Sequence, residues 1–142
     1  MEKIALVDDD PDILEVFTQF IEVFGYVPLP FQDPLEALKK IPAESPAPAL
    51  ILLDLMMTPI TGLQFLEERR KNPQLASIPV MIVSAWGLSE QDLKTYDNDI
   101  AGTIQKPVLL EDLRKIISNQ IARKHGDTGG RDNTGTPLYP DR

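Results

Sequence analysis

The sequence predicts an α/β fold in which a parallel β-sheet carries helices on both faces. Short apolar runs alternate five times with stretches whose apolar residues recur at helical spacing. The run 49–53 (Ala-Leu-Ile-Leu-Leu) is apolar at every position, which is typical of a central strand covered on both faces. With 142 residues the chain is long enough for one domain with a hydrophobic core and hardly for two.

Five segments are predicted to be strands. The first four are short, mainly apolar runs, and the last is a three-residue segment before Lys106-Pro107. Four of the five are followed directly by, or end close to, polar residues. The second strand is expected to be cut short by Pro28 and Pro30. The predicted strands are residues 3–7, 26–29, 49–53, 78–83 and 103–105.

Five segments are predicted to be helices. The first two begin with an Asp-Pro pair, at Asp10 and Asp33, which supplies an N-cap and a proline at the first helical position. Gly25 is placed to end the first helix, and Asn72-Pro73 to close the third. The predicted helices are the stretch between Asp10 and Gly25, then residues 35–41, 62–71, 89–96 and 110–123.

The last 18 residues differ from the rest of the chain. From Gly126 onward the sequence has no periodicity and few apolar side chains. We therefore assign residues 1–124 to one folded domain and 125–142 to a disordered C-terminal tail.

The composition excludes several classes of protein. The net charge of -8 argues against direct binding of nucleic acid, which requires a basic face. The chain has no cysteine, and its single histidine, His125, leaves no histidine-rich metal site and no Ser-His-Asp triad. No signal peptide and no apolar stretch long enough to span a bilayer is evident, so a cytoplasmic protein without membrane contact is expected.

Polar side chains follow the predicted strands at the edge where an open α/β sheet binds its ligands. Strand one is followed by Asp8, Asp9 and Asp10, of which Asp10 is better explained as the N-cap. The other strands contribute Asp54, Ser84 and Lys106. Taken singly, each of these has an ordinary structural explanation, but together they fall on successive strand ends at one rim.

This combination favours phosphoryl chemistry with a metal ion. Two carboxylates about 4 Å apart repel by roughly 4 kcal/mol at an effective dielectric constant of about 20, so Asp8, Asp9 and Asp54 require a neutralising cation. All-oxygen ligands favour Mg²⁺. A carboxylate nucleophile would form an acyl phosphate, while Lys106 supplies a positive charge and Ser84 a hydroxyl donor.

The pattern resembles the receiver domain of two-component response regulators over about residues 2–124. The matching segments are Leu-Val-Asp-Asp (6–9), Leu-Leu-Asp-Leu-Met-Met (52–57) with Gly62, Val-Ser-Ala (83–85) and Lys-Pro (106–107). The resemblance implies a flavodoxin-like, doubly wound sheet of five parallel strands in the order 2-1-3-4-5, with five helices.

The resemblance also implies a role for each site residue. Asp54 matches the phosphoacceptor. Asp8 and Asp9 match the acidic pair that binds Mg²⁺, Asp9 directly and Asp8 through water, and Met56 would add its backbone carbonyl.

Two further positions match groups that act on the phosphoryl group. Ser84 matches the switch hydroxyl that swings toward it. Lys106 matches the lysine that binds it, and the bond from Lys106 to Pro107 is cis in the family.

Three positions depart from the family pattern. Thr58, followed by Pro59, stands where proline is common four residues after the acceptor. Thr103 replaces the aromatic switch residue on strand five, and Val108 replaces a frequent aromatic after Lys-Pro. These departures concern signal transmission more than phosphoryl transfer.

The leading hypothesis is a stand-alone receiver that takes a phosphoryl group from a sensor histidine kinase or a histidine phosphotransfer protein. It would catalyse only its own phosphorylation and dephosphorylation. Because no output domain follows, it would act on a downstream protein, as a monomer or a weak phosphorylation-dependent dimer.

Two alternatives stay open. The first is a degenerate receiver that serves as a constitutive binding module, which Thr58 and Thr103 would suit. The second is a Mg²⁺-dependent phosphohydrolase with Asp8 as its nucleophile in an Asp8-x-Asp10 motif. Asp12 stands where that motif prefers Thr or Val, and this places the phosphohydrolase last.

Overall fold

The computed structural model describes residues 1–124, in which five strands form one parallel sheet. The strand order β2-β1-β3-β4-β5 is the predicted one, so the fold class is confirmed. The predicted tail, residues 125–142, lies outside the described residues. The strands are β1 Lys3–Val7, β2 Val27–Phe31, β3 Leu50–Leu53, β4 Val80–Ser84 and β5 Gly102–Gln105.

Six α-helices are present in residues 1–124, one more than predicted. The additional helix is a single turn that Asn72 caps by accepting a hydrogen bond from the backbone N–H of Gln74 at 3.0 Å. The Asn-Pro pair therefore starts a new helix as well as following the old one. The helices are α1 Pro11–Val23, α2 Pro34–Lys40, α3 Gly62–Arg70, α4 Pro73–Ala76, α5 Glu90–Tyr96 and α6 Leu110–Lys124, with a 3₁₀ turn at Ile41–Ala43.

The predicted N-caps of α1 and α2 and the predicted end of α1 are confirmed, whereas α2 spans Pro34–Lys40 instead of 35–41. The side chains of Asp10 and Asp33 accept hydrogen bonds from backbone N–H groups in the first turns of these helices. Gly25 has a φ of 91°, a left-handed conformation that favours glycine directly after a helix. Among residues 1–124, no helix has both the length and the apolar character needed to cross a membrane.

Strand β2 extends to Phe31, so the prediction that its prolines would end it was wrong. The backbone N–H of Val27 donates to the carbonyl of Glu2, which turns the N–H groups of alternate residues toward β1. Pro28 and Pro30 occupy the positions between them, at the edge of the sheet. Proline is tolerated there because no neighbouring strand requires its N–H.

The core forms two layers because successive strand residues face opposite sides of the sheet. Val7, Ile51 and Leu53 belong to the layer covered by α2 to α5. Ile4 and Leu6 belong to the layer covered by α1 and α6. Both faces of the central strands are therefore buried, and polar groups at the strand ends meet at the exposed rim of the sheet.

Candidate functional site

The ends of β1, β3, β4 and β5 bring the predicted site residues to one rim. The backbone N–H of Asp54 donates to the carbonyl of Val7 at 2.9 Å, which places the residue after β3 beside the end of β1. The backbone N–H of Lys106 donates to the carbonyl of Ser84 at 2.9 Å and aligns β5 with β4 in the same way. The rim is therefore held together by the register of the sheet.

Lys106 connects two of the carboxylates. Its Nζ lies 2.9 Å from Oδ2 of Asp8 and 3.5 Å from Oδ1 of Asp54. The side chains of all three residues are largely buried, with exposed fractions of 15% for Lys106, 9% for Asp8 and 10% for Asp54. The repulsion expected between the carboxylates is thus relieved in part by this ammonium group.

Asp54 lies in an environment that opposes a free negative charge. Burial raises the pKa of Asp54 above its ordinary value, and the Asp8 carboxylate raises it further. Lys106, by its charge and its hydrogen bond, and the backbone N–H of Leu55 act in the opposite direction without cancelling the shift. A proton, a cation or a covalent bond at Asp54 would each relieve this cost.

Asp8, Asp9 and Asp54 are close enough to share one cation. Each offers a carboxylate oxygen, and the three oxygens lie within 4.8 Å of one another. When all three are ionised, they and Lys106 together carry two negative charges, which a divalent ion would balance. An all-oxygen set with few protein ligands fits Mg²⁺, which keeps several waters in its coordination shell.

Ser84 is the last residue of β4, and Met56 follows Asp54 by two residues. Ser84 is 2% exposed, and its Oγ accepts a hydrogen bond from the backbone N–H of Trp86 at 3.3 Å. Met56 is in the loop after β3 and its side chain is 59% exposed. The assignment of its carbonyl to the metal stays a prediction, as do the roles of the other site residues.

The third aspartate of the run after β1 has a structural role. Oδ1 of Asp10 lies 2.9 Å from the backbone nitrogen of Asp12 and 3.4 Å from that of Ile13. This carboxylate caps α1, as predicted. An Asp8-x-Asp10 phosphohydrolase motif would require the same side chain for catalysis, so the capping contact disfavours that alternative.

Two contacts at the rim were not predicted from the sequence. Thr58 hydrogen-bonds Asp9 through its backbone N–H and its hydroxyl, and Trp86 hydrogen-bonds Ser84. The departure from proline at position 58 indicates that a backbone N–H and a hydroxyl are available there, but it does not indicate that Asp9 accepts from them. No sequence pattern indicates the second, which depends on the backbone path after β4.

Gly62 allows α3 to begin against the backbone of Asp54. A Cβ atom at this position would lie 2.5 Å from the carbonyl oxygen of Asp54 and 2.9 Å from the Cα of Leu55. The backbone N–H of Gly62 also donates to the carbonyl of Leu55 at 2.8 Å. The loop after β3 therefore folds back tightly, which fixes the backbone that carries Asp54.

The other departures from the family pattern lie close to β5. Thr103 is half-buried and pairs with Ile82 in the sheet. Val108 packs against the apolar layer beneath α1 and α6. The bond between Lys106 and Pro107 is cis, as the resemblance implied, and so is the bond between Thr58 and Pro59.

Comparison with known proteins identifies the family of the chain. The family model of the response regulator receiver domain matches residues 4–118. The response regulator Rre1 of Synechocystis is 28% identical over 127 residues, which are 89% of this chain and 54% of that protein. The chain thus spans about half the length of the curated relatives it matches.

Two solved structures support the same conclusion. The N-terminal domain of a response regulator receiver protein from Methanoculleus marisnigri JR1 is 33% identical, with a TM-score of 0.70, over 83% of this chain and 94% of that one. The response regulator TrrA from Thermotoga maritima, solved in complex with Mg(2+)-BeF, is 25% identical, with a TM-score of 0.73, over 84% of this chain and 99% of that one. Together with the carboxylate cluster at the rim, these matches show that the chain belongs to the response regulator receiver domain family.

Proposed function

We propose that this receiver domain takes a phosphoryl group onto Asp54 from a phosphohistidine and uses the acyl phosphate as a reversible signal. The observation that carries the proposal is the convergence of Asp8, Asp9 and Asp54 within 4.8 Å, with Lys106 bridging Asp8 and Asp54. A structural role alone does not require three carboxylates and an ammonium group from three separate strand ends.

The chain's own residues account for the transfer. A carboxylate oxygen of Asp54 attacks phosphorus, the P–N bond breaks, and the imidazole nitrogen leaves with the electron pair. Lys106 neutralises one phosphoryl oxygen, and the Ser84 hydroxyl donates to another. Mg²⁺, held by Asp8, Asp9, Asp54 and the Met56 carbonyl, would supply charge neutralisation at the phosphoryl oxygens.

The partners follow from this chemistry. The donor is a sensor histidine kinase or a histidine phosphotransfer protein, and the proposed location is the cytoplasm. The domain catalyses only its own phosphorylation and dephosphorylation. Several curated relatives are named as transcriptional regulators. We do not extend that activity to this chain, which spans about half of their length.

Output is proposed to pass to a protein through the face formed by α5, β5 and α6. Lys106 directly follows β5, the strand at the centre of this face. A contact between its Nζ and a phosphoryl group on Asp54 would therefore shift the end of β5 and change the face that the partner binds. The domain would act as a monomer or as a weak dimer that forms on phosphorylation.

The test is phosphorylation of the full chain by acetyl phosphate, followed by intact mass. With Mg²⁺ we expect the mass of one added phosphoryl group, and without Mg²⁺ we expect much less. Asp54→Asn should abolish the gain because the acceptor oxygen is lost.

Asp10→Asn is the matched control. It makes the same chemical change at the same rim but keeps an N-cap residue of similar strength. A gain that persists in Asp54→Asn and disappears in Asp8→Asn would instead favour the phosphohydrolase. No gain with this donor, nor with phosphoramidate, would favour the constitutive binding module.

A further inference from the structure

Thr58 contacts the carboxylate of Asp9 through two donors. Its backbone nitrogen lies 3.1 Å from Oδ2 of Asp9, and its Oγ1 lies 3.3 Å from the same oxygen. The contact joins the loop after β1 to the loop after β3. These loops carry the three carboxylates of the rim, Asp8 and Asp9 on one and Asp54 on the other.

The other two carboxylates are held by different groups. Oδ1 of Asp8 accepts a hydrogen bond from the backbone N–H of Asp10 at 2.9 Å, and Oδ2 contacts Lys106. Asp54 also contacts Lys106. Within residues 1–124, the hydrogen bonds to the Asp9 side chain come from Thr58, and Asp9 is more exposed than the other two. The orientation of Asp9 therefore depends on Thr58.

Both hydrogen bonds from Thr58 end on Oδ2, so Oδ1 of Asp9 takes part in neither. A carboxylate fixed along one edge has already lost much of its side-chain freedom before a cation arrives. Less ordering is then required on binding, which increases affinity. Partners that orient metal ligands in this way typically change metal affinity by about 10–100-fold.

We propose that Thr58 is a positioning residue that orients Asp9 toward a divalent cation shared with Asp8 and Asp54, and that its hydroxyl tunes the cation affinity of the site. The inference rests on the cation site of the proposed function. Proline, which is common in the family at this position, has neither a backbone N–H nor a hydroxyl and would provide neither contact.

The experiment is titration of the full chain with Mg²⁺ by isothermal calorimetry, without a phosphodonor. Thr58→Val removes the hydroxyl and keeps the branched shape and the backbone N–H. We expect its Mg²⁺ affinity to fall about threefold to tenfold, as for the loss of one hydrogen bond. Thr58→Ser restores the hydroxyl and should remain within about twofold of wild type.

The control is Thr95→Val, which makes the same chemical change far along the chain. Oγ1 of Thr95 donates to the carbonyl of Gln91 within α5 and does not contact the carboxylates. Its Mg²⁺ affinity should equal that of the wild type. The unfolding midpoint in EDTA should be the same for Thr58→Val and Thr58→Ser, because the contact is exposed.

Three results would overturn the inference. The first is a Mg²⁺ affinity of Thr58→Val equal to that of the wild type, and the second is an equal loss of Mg²⁺ affinity in Thr58→Val and Thr58→Ser. The third is an unfolding midpoint in EDTA that falls in proportion to the loss of Mg²⁺ affinity. The last would assign Thr58 a structural role. Failure of the proposed function looks different, because the wild type itself would then bind no Mg²⁺ or accept no phosphoryl group.

Discussion

At the scale of single residues, Asp54 combines burial with two neighbours of opposite effect. Asp8 and Lys106 both approach it, one repelling its negative charge and the other attracting it. Burial is the largest contribution, so the balance favours neutralisation of Asp54. Binding of a cation beside Asp54, or addition of a phosphoryl group to it, would therefore stabilise the folded domain.

This balance predicts how stability changes with pH when Asp54 is replaced. Because its pKa is raised in the folded state, ionised Asp54 lowers the free energy of unfolding at neutral pH, and this cost appears as the pH rises through the raised value. Asp54→Asn should therefore raise the unfolding midpoint by a few degrees at pH 7 without Mg²⁺. The gain should shrink as the pH is lowered and disappear below the ordinary pKa of 3.8, where the wild-type carboxyl is protonated in both the folded and the unfolded state.

Thermal unfolding followed by circular dichroism, across this pH range and in EDTA, checks the prediction. Asp10→Asn serves as the control and should change the midpoint little at any pH, since asparagine caps a helix about as well as aspartate. A gain in Asp54→Asn that does not vary with pH would show that the charge of Asp54 is not its source.

Which site residues the sequence could predict depends on where they lie. Asp8, Asp54, Ser84 and Lys106 directly follow or end apolar strands, so the register of a parallel sheet brings them together whatever the loops do. The contact of Thr58 with Asp9 depends on the path of a loop with no periodicity. Hydrophobic patterns carry no information on that path.

At the scale of elements, Asp99 ties the end of α3 to the turn before β5. Its carboxylate accepts hydrogen bonds from Nε and Nη2 of Arg70, the latter at 2.5 Å, and it lies 3.9 Å from Nη1 of the buried Arg69. Arg70 also lies over the ring of Tyr96, 5.3 Å from its centroid, at the end of α5. Through Arg70, the Asp99 carboxylate thus holds the end of α3 against α5, one of the helices that form the proposed output face.

We expect Asp99→Asn to lower the free energy of unfolding by about 2–4 kcal/mol, because it leaves the guanidinium of Arg69 buried without its counter-charge. Glu68→Gln makes the same chemical change in an exposed ion pair with Lys71 and should lower the free energy of unfolding far less, because solvent screens that pair. Urea unfolding of both variants measures the difference. Equal effects would show that Asp99 does not anchor α3 and α5.

The elements that were predicted incorrectly are those for which local signals are weakest. Helix α4 is a single turn, too short for any apolar period to show, and only its Asn72-Pro73 cap marks it. Proline usually ends a strand because it lacks the backbone N–H needed for pairing. The prolines of β2 are tolerated because β2 lies at the edge of the sheet. The long helices were predicted because their apolar residues recur at helical spacing, and the central strands because they are continuous apolar runs.

At the scale of the whole molecule, the sheet brings residues far apart in sequence into one reactive rim. Alternation of strands and helices predicted a parallel sheet, but the strand order came from the resemblance to a family, since periodicity does not determine which strands are neighbours. That order puts β1 beside β3 and β5 beside β4. The distances from Lys106 to Asp8 and Asp54 are a consequence of it.

Phosphorylation of Asp54 is tested most directly by locating the phosphoryl group on the chain. The protein is phosphorylated with acetyl phosphate and Mg²⁺, reduced with borohydride, which converts an aspartyl phosphate to homoserine, and analysed by peptide sequencing in the mass spectrometer. If Asp54 is the phosphoacceptor, homoserine appears at position 54 and aspartate is unchanged at positions 8, 9 and 10. Homoserine at position 8, or a phosphoryl group that resists borohydride, would contradict this assignment.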